Sequence, residues 1–236
     1  MDGKIVLVTG AARRIGRGIA LRLAREGARV AVHYHHSARE AAETAVECGG
    51  HAFQANLENV AEIERLFHEV ASHYGRLDGL VNNAARFTQI DPLQVTEADW
   101  DFIHSVNLKA AFFCCQQAAL VMKRTGGGGI VNISSLGGLR PWADHVHYCA
   151  SKAGLIMMTQ ALAKALAQDI TVNSVAPGVI PFGETDEPRI RKLVEVTPAG
   201  RPGTADEIAD AVLYFLTAGN FVTGQVIAVD GGLGLR

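Results

Sequence analysis

The stretch TGAARRIGRGIA, residues 9–20, decides how the rest of the chain is read. It follows the apolar run Ile5-Val6-Leu7-Val8 and leads into a segment of helical periodicity. Gly10 permits a tight turn there, and Gly16 permits close backbone approach. The helix that starts near Ile15 aims its unpaired N–H groups back at the turn, where they suit the pyrophosphate of a dinucleotide. Arg14 stands where a second loop glycine is expected. It needs a role that glycine lacks.

Working outward, short runs rich in β-branched residues at 5–8, 29–34, 77–81, 130–133, 170–175 and 225–229 read as strands, with a weaker one at 51–55. Helical periodicity covers 15–27, 38–48, 59–74, 96–124, 148–168 and 204–217. Gly126 to Gly129 reads as a loop before a strand. Strand–helix alternation with near-continuous apolar strands predicts an α/β fold, in which a seven-stranded parallel sheet is covered by helices on both faces. With no linker or repeat, residues 1–236 form one domain. The proline-rich stretch 177–203 has no clear period and follows a strand end, where open α/β sheets bind ligands. It is expected to be a substrate lid; the plainer reading is a variable surface excursion.

Composition narrows the function classes. Apolar residues make up 48% and charged residues 19%, enough for a large core, and the formal net charge is −2. That balance is unlike the clustered positive charge of nucleic-acid or membrane-surface binders. No apolar run reaches the roughly 18 residues of a membrane span, and no leader is visible before Lys4. Cys48, Cys114, Cys115 and Cys149 form neither CxxC pairs nor metal spacing. Adjacent Cys114 and Cys115 read as packing residues, and a reducing, cytoplasmic location is expected.

The second strand exits through His33-Tyr34-His35-His36-Ser37. A site for NAD would place an Asp or Glu there on the adenosine ribose, and none is present. Cationic and hydroxyl donors instead suit a 2′-phosphate, and arginine offers a planar fork to its oxygens. Arg13, Arg14, His36 and Ser37 can converge on it, which points to NADPH. Three histidines in four residues also raise a metal site, but a strand exit leaves their rings on alternating faces, so no metal is expected.

Within IVNISSLGGLRPWADHVHYCASK, Tyr148 and Lys152 lie four apart and share one helix face. A nearby ammonium and the positive ring of an oxidised nicotinamide favour a phenolate, so Tyr148 is a candidate proton donor as hydride arrives. Lys152 is also placed to anchor the nicotinamide ribose. Ser134 and Ser135 lie at a strand end facing the crevice.

These residues, with VNNAA at 81–85 and FVTGQVIAVDGG at 221–232, resemble the short-chain dehydrogenase/reductase family over nearly the whole chain. The resemblance implies a doubly wound Rossmann fold, a homotetramer, and a catalytic tetrad of Asn107, Ser135, Tyr148 and Lys152. Ser134 competes with Ser135, and Asn107 would hold a water in a proton relay to the lysine. The implied cofactor contacts are Gly10, Arg13, Arg14, Ile15, Gly16 and His33, then His36, Ser37, Asn56 and Leu57. They continue through Asn83, Ala84, Pro177 and Gly178 to Tyr148 and Lys152. Asn56 departs from the aspartate that many members place on the adenine, although an amide can still donate and accept.

TGAARRIG followed by VHYHHSA is further similar to the pteridine reductase branch. That likeness implies a dihydropterin substrate seated by Arg14, Phe87, Ser135 and Tyr148, with Phe87 against the ring. Ser135, where that branch has an acidic residue, and His36, where it has an arginine, depart from the pattern. The alternative is a ketone reductase acting on compounds such as 3-oxoacyl thioesters, since a serine hydroxyl is a good donor to a carbonyl oxygen. A regulator that senses NADPH without turnover is a third reading, which the presence of both Tyr148 and Lys152 opposes. Related tetramers also imply that Arg236 reaches a neighbouring site.

Overall fold

The structure, a computed structural model, describes residues 1–181 and 188–235. Seven parallel strands form one sheet in the order β3-β2-β1-β4-β5-β6-β7. They are β1 (Ile5–Val8), β2 (Arg29–Tyr34), β3 (His51–Gln54), β4 (Gly79–Asn82), β5 (Gly128–Ile133), β6 (Ile170–Pro177) and β7 (Val226–Val229). Strands bury both faces because consecutive side chains point to opposite sides. Ile5 and Leu7 pack with α3 (Val60–Tyr74) and α5 (Ala111–Thr125) in one core layer. Val6 and Val8 pack with α1 (Arg14–Arg25), α2 (Ala38–Glu47) and α8 (Ala205–Thr217) in the other. The remaining helices are α4 (Glu97–His104), α6 (Val146–Leu166) and α7 (Pro188–Val196).

Local chemistry fixes the helix ends. Asn59 caps α3 by accepting from the Ala61 N–H, and Gly75, left-handed at φ 78°, ends it. Reciprocal capping boxes start α4 (Thr96 with Asp99) and α8 (Thr204 with Glu207). Cys114 and Cys115 are fully buried packing residues, as expected. Burial pushes both thiols up, that of Cys115 to about 12. Among the described residues no helix is long and apolar enough to cross a membrane.

Three expectations change. The segment read as one helix over 96–124 is interrupted by a π-helical stretch, Ser105–Ala110, between α4 and α5. Strand β5 begins inside the glycine run, because a Cβ on Gly128 would lie 2.7 Å from the Asp78 carbonyl oxygen, and only glycine lets the strands close up there. The stretch 177–203 is not wholly irregular, since it contains α7. Ile190, Leu193 and Val196 of that helix line the cleft described next, and residues 182–187 of the expected lid lie outside the described residues.

Candidate active site

Strand order reverses between β1 and β4, and a cleft of about 1460 Å³ opens at the carboxyl ends of the strands. Every expected cofactor and substrate residue lines it. The β1–α1 turn is held from three sides. Gly10 is left-handed at φ 62°, and a Cβ on Gly16 would lie 2.3 Å from the Gly10 carbonyl oxygen. Asn83 donates through Nδ2 to the carbonyl oxygens of Thr9 (2.9 Å) and Gly10 (3.1 Å). The Thr9 hydroxyl accepts from the backbone N–H groups of Asn83 and Ala84. Thr9 was not singled out from sequence, because nothing in its spacing shows that it bridges two strand ends.

Arg14 is, among the described residues, the one non-glycine residue in the left-handed region, at φ 57°. That conformation costs an L-residue about 1–2 kcal/mol. Arg13 is extended at φ −148° and lies 3.8 Å from Glu40. His36 and Ser37 complete this end of the cleft, and the Ser37 hydroxyl does not cap α2. The donors and the missing carboxylate fit a phosphorylated adenosine, and the left-handed turn at Gly10, leading into the N-terminus of α1, fits a pyrophosphate. The Asn56 amide oxygen accepts from the Glu58 N–H at 3.1 Å, beside buried Leu57. Among the described residues no group of three metal-ligating side chains occurs.

His33 is a correction. Its ring is buried, with Nδ1 accepting from the Gly10 N–H at 3.0 Å and Nε2 meeting the Ala55 carbonyl oxygen at 3.1 Å. Both nitrogens are committed, so the side chain acts on the cofactor loop and not on a phosphate. Burial pushes its pKa down to about 4. The folded state therefore keeps His33 neutral where the unfolded chain, at 6.5, takes a proton. This contribution to stability is complete above pH 6.5 and is lost as pH falls toward 4, amounting to about 3 kcal/mol. Melting temperature should drop over that window, and His33→Gln, with no proton to gain, should flatten the slope; parallel slopes would remove His33 as the cause.

At the opposite end, α6 presents Tyr148 and Lys152 one turn apart. Lys152 is buried and donates through Nζ to the Ile133 carbonyl oxygen at 2.9 Å. Desolvation pushes its pKa down to about 8. Burial pushes Tyr148 up to about 12, while the hydrogen-bonded Ser135 hydroxyl pulls the other way. The phenolate expectation counts the charge of an oxidised nicotinamide beside that of the lysine, whose nitrogen sits 5.9 Å from the Tyr148 ring centre. In the cofactor-free protein Tyr148 is a phenol that still holds its proton. The two serines also separate. Ser134 is tied to β6, donating to the Val175 carbonyl oxygen (3.1 Å) and accepting from Ser174 (2.7 Å), whereas Ser135 stands beside Tyr148.

Asn107 lies in the π-helical stretch, outside the main cleft, and its amide is engaged. Oδ1 accepts from the Arg86 N–H at 2.7 Å, and Nδ2 donates to the Arg86 carbonyl oxygen (2.9 Å) and Ser151 Oγ (3.2 Å). Both ends of the amide are therefore tied to protein groups. A cavity of about 10 Å³ nevertheless adjoins Asn107 and Lys152, close to the space one water occupies.

Phe87 packs edge-on to Tyr148 (4.8 Å, 88°) and is 50% exposed toward the cleft. Two aromatic neighbours were not anticipated. The Trp142 ring lies parallel to Tyr148 at 6.1 Å, and His145 sits 4.7 Å from Phe87 with Nδ1 donating to the Thr88 carbonyl oxygen. Their place, just before α6 in the segment that carries Tyr148, is the one signal that could have found them. Pro177 ends β6, and Gly178 abuts Asp230, where a Cβ would lie 2.7 Å from the Asp230 Cα. The C-terminal segment contributes Leu233 to the cleft, and Arg140 donates to the Gly234 carbonyl oxygen. Arg236 lies outside the described residues.

Residues 10–234 match the family described as Enoyl-(Acyl carrier protein) reductase. The chain is 40% identical to the 3-oxoacyl-acyl-carrier-protein reductase of Staphylococcus aureus, across 98% of each chain. It is 34% identical to the Synechocystis protein of the same name, across 99% of this chain and 98% of that one. Among solved structures it superposes on acetoin dehydrogenase from Enterobacter cloacae with a TM-score of 0.90 at 34% identity, covering 98% of this chain and 96% of that one. A double mutant of a Serratia marcescens short-chain dehydrogenase/reductase gives a TM-score of 0.94 at 33% identity, covering 99% and 98%.

Proposed function

This chain belongs to the short-chain dehydrogenase/reductase family and is an NADP-dependent oxidoreductase, and we propose that it reduces a carbonyl compound, with 3-oxoacyl thioesters as the leading substrate class. One observation carries the reading: Ser135 and Tyr148 stand side by side on the wall of the cleft, and burial keeps the tyrosine protonated. Two O–H donors suit a single carbonyl oxygen. The 3-oxoacyl reductases among its relatives support the same class.

NADPH, when bound, supplies the hydride. Arg13, Arg14, His36 and Ser37 would hold its 2′-phosphate, the Gly10–Gly16 turn its pyrophosphate, and Lys152 and the Pro177–Gly178 turn its nicotinamide half. Ser135 orients the substrate oxygen by donating a hydrogen bond, and Tyr148 transfers its proton to that oxygen. Lys152 and the small cavity beside Asn107 provide the route by which the tyrosine regains a proton.

Reduction of a dihydropterin is the second reading. The exposed ring of Phe87, which offers a flat apolar face to the cleft, is the observation that favours it. The two readings separate when NADPH consumption is followed with an acetoacetyl thioester, a small diketone and a dihydropterin. Turnover of the carbonyl compounds is expected, and turnover of the pterin alone would overturn the proposal. We also propose a homotetramer in a reducing cytoplasm. Exposed Phe112, Leu120 and Met157 on α5 and α6, together with the fully exposed Phe221 before β7, offer apolar surface for it. Light scattering should give four times the 25.1 kDa chain mass, and a monomer mass would refute it.

A further inference from the structure

The loop after β4 carries an arginine that neither the cofactor cradle nor the proton donors use. Arg86 is mostly covered, its side chain 23% exposed. One guanidinium nitrogen donates to Glu58 Oε1 (2.6 Å), the Phe102 carbonyl oxygen (3.1 Å) and Ser105 Oγ (3.4 Å). The guanidinium also lies over the Phe102 ring, 4.1 Å from its centre. The side chain thus pins together the β3–α3 loop, the end of α4 and the start of the π-helical stretch.

Its main chain does something different. The N–H and C=O of Arg86 are the two groups that clamp the Asn107 amide. From Asn107 the bonding continues to Ser151 Oγ, and from Ser151 Oγ to the Tyr148 carbonyl oxygen at 2.7 Å. Glu58 joins the other end to the cofactor side of the cleft, since its N–H donates to the Asn56 amide oxygen. The Arg86 hydrogen bond also holds the Glu58 carboxyl below its ordinary range. A plain surface ion pair contributes about 0–1 kcal/mol and organises nothing. Here one guanidinium has four partners, and the backbone of the same residue holds a buried amide.

We propose that Arg86 is a positioning residue for proton delivery: its anchored side chain fixes the loop whose backbone clamps Asn107, and so sets the geometry of the cavity beside Lys152. This rests on the reading above that the cavity resupplies Tyr148. Arg86 touches none of the reacting groups, so its effect passes through Asn107.

The test uses the full-length protein with Arg86→Ala, Arg86→Lys and Glu58→Gln. Arg86→Ala should lower kcat by about tenfold or more, as small misplacements of reacting groups do. The KM values for NADPH and the carbonyl substrate should stay within about threefold. The basic limb of the kcat–pH profile should move, because Lys152 loses its fixed surroundings. Arg86→Lys should recover much of the loss, and Glu58→Gln should shift kcat the same way by a smaller factor. Independently of activity, amide hydrogen exchange over Ser105–Ala110 in the cofactor-free protein should be about tenfold faster in Arg86→Ala. Unchanged exchange with a superimposable pH profile would overturn the proposal, as would a loss confined to KM. Failure of the unaltered protein to reduce any carbonyl would instead overturn the underlying reading, while the exchange result would still report on the clamp.

Discussion

Replacing Tyr148 with phenylalanine should lower kcat for carbonyl reduction by about a thousandfold, the middle of the range for a positioned general acid. NADPH affinity should stay within about threefold. The expectation follows from what the substitution removes and what it leaves. The ring remains packed between Phe87 and Trp142, and Lys152 keeps its bond to the Ile133 carbonyl oxygen. What goes is one hydroxyl, the group that burial keeps protonated up to about pH 12. A lost buried hydroxyl bond costs about 1 kcal/mol, a fall of about 2–4 °C in melting temperature for a domain of this size, so unfolding cannot account for the lost turnover. Steady-state rates and a fluorescence titration with NADPH decide the matter. Retained turnover would move the acid role to Ser135 or solvent. Lost NADPH binding would make the tyrosine a structural member of the nicotinamide pocket.

The unaltered enzyme gives the complementary pH signature. In the cofactor-free protein the phenol stays protonated far beyond neutrality, so a basic limb on kcat near pH 8 is expected from another group. Lys152, lowered to about 8 by desolvation, is the group that would cause it. Proton donation is thus suited to the reductive direction from near-neutral pH downward.

The fold was legible because its strands are buried on both faces and therefore read as continuous apolar runs. The expected strand at 5–8 coincides with β1, and the expected helix at 38–48 with α2 to within a residue. Tyr148 and Lys152 were legible because helical spacing alone puts them on one face. What escaped depends on contacts between distant segments. Periodicity runs unbroken from 96 to 124, and only packing against Arg86 and Ser151 reveals that Asn107 sits in a π-helical stretch. His33 read as a cofactor contact because its neighbours do, yet its place inside the sheet commits its ring to Gly10 and Ala55. Ser134 and Ser135 are adjacent and chemically alike, and the hydroxyl of Ser174 on β6, 40 residues away, distinguishes them. The depth at which Tyr148 is buried was likewise illegible, since a sequence shows the nearby charge and not the burial.

Replacing Arg14 with glycine should have two opposite effects, and together they explain why an arginine occupies the turn. The backbone at φ 57° is one that glycine adopts freely. Relief of the left-handed strain, about 1–2 kcal/mol, is partly offset by the greater freedom of glycine in the unfolded chain, about 0.5–1 kcal/mol. The variant should be more stable by roughly 0.5–1 kcal/mol, a rise of about 2–4 °C per kcal/mol in a domain of this length. NADPH affinity should meanwhile fall about 10- to 100-fold, the loss of a charge-assisted bond worth about 1.5–3 kcal/mol, while NADH affinity stays within about threefold. Calorimetry and paired titrations measure the two effects separately. Equal weakening of both nucleotides would place the guanidinium on the pyrophosphate or on the loop itself, leaving Arg13, His36 and Ser37 as the 2′-phosphate donors. A lower melting temperature would mean that contacts of the Arg14 side chain outweigh its backbone strain. If stability rises while NADPH selectivity falls, the turn retains a strained arginine because the position that glycine would fill most easily is also the one from which a cation reaches the adenosine phosphate.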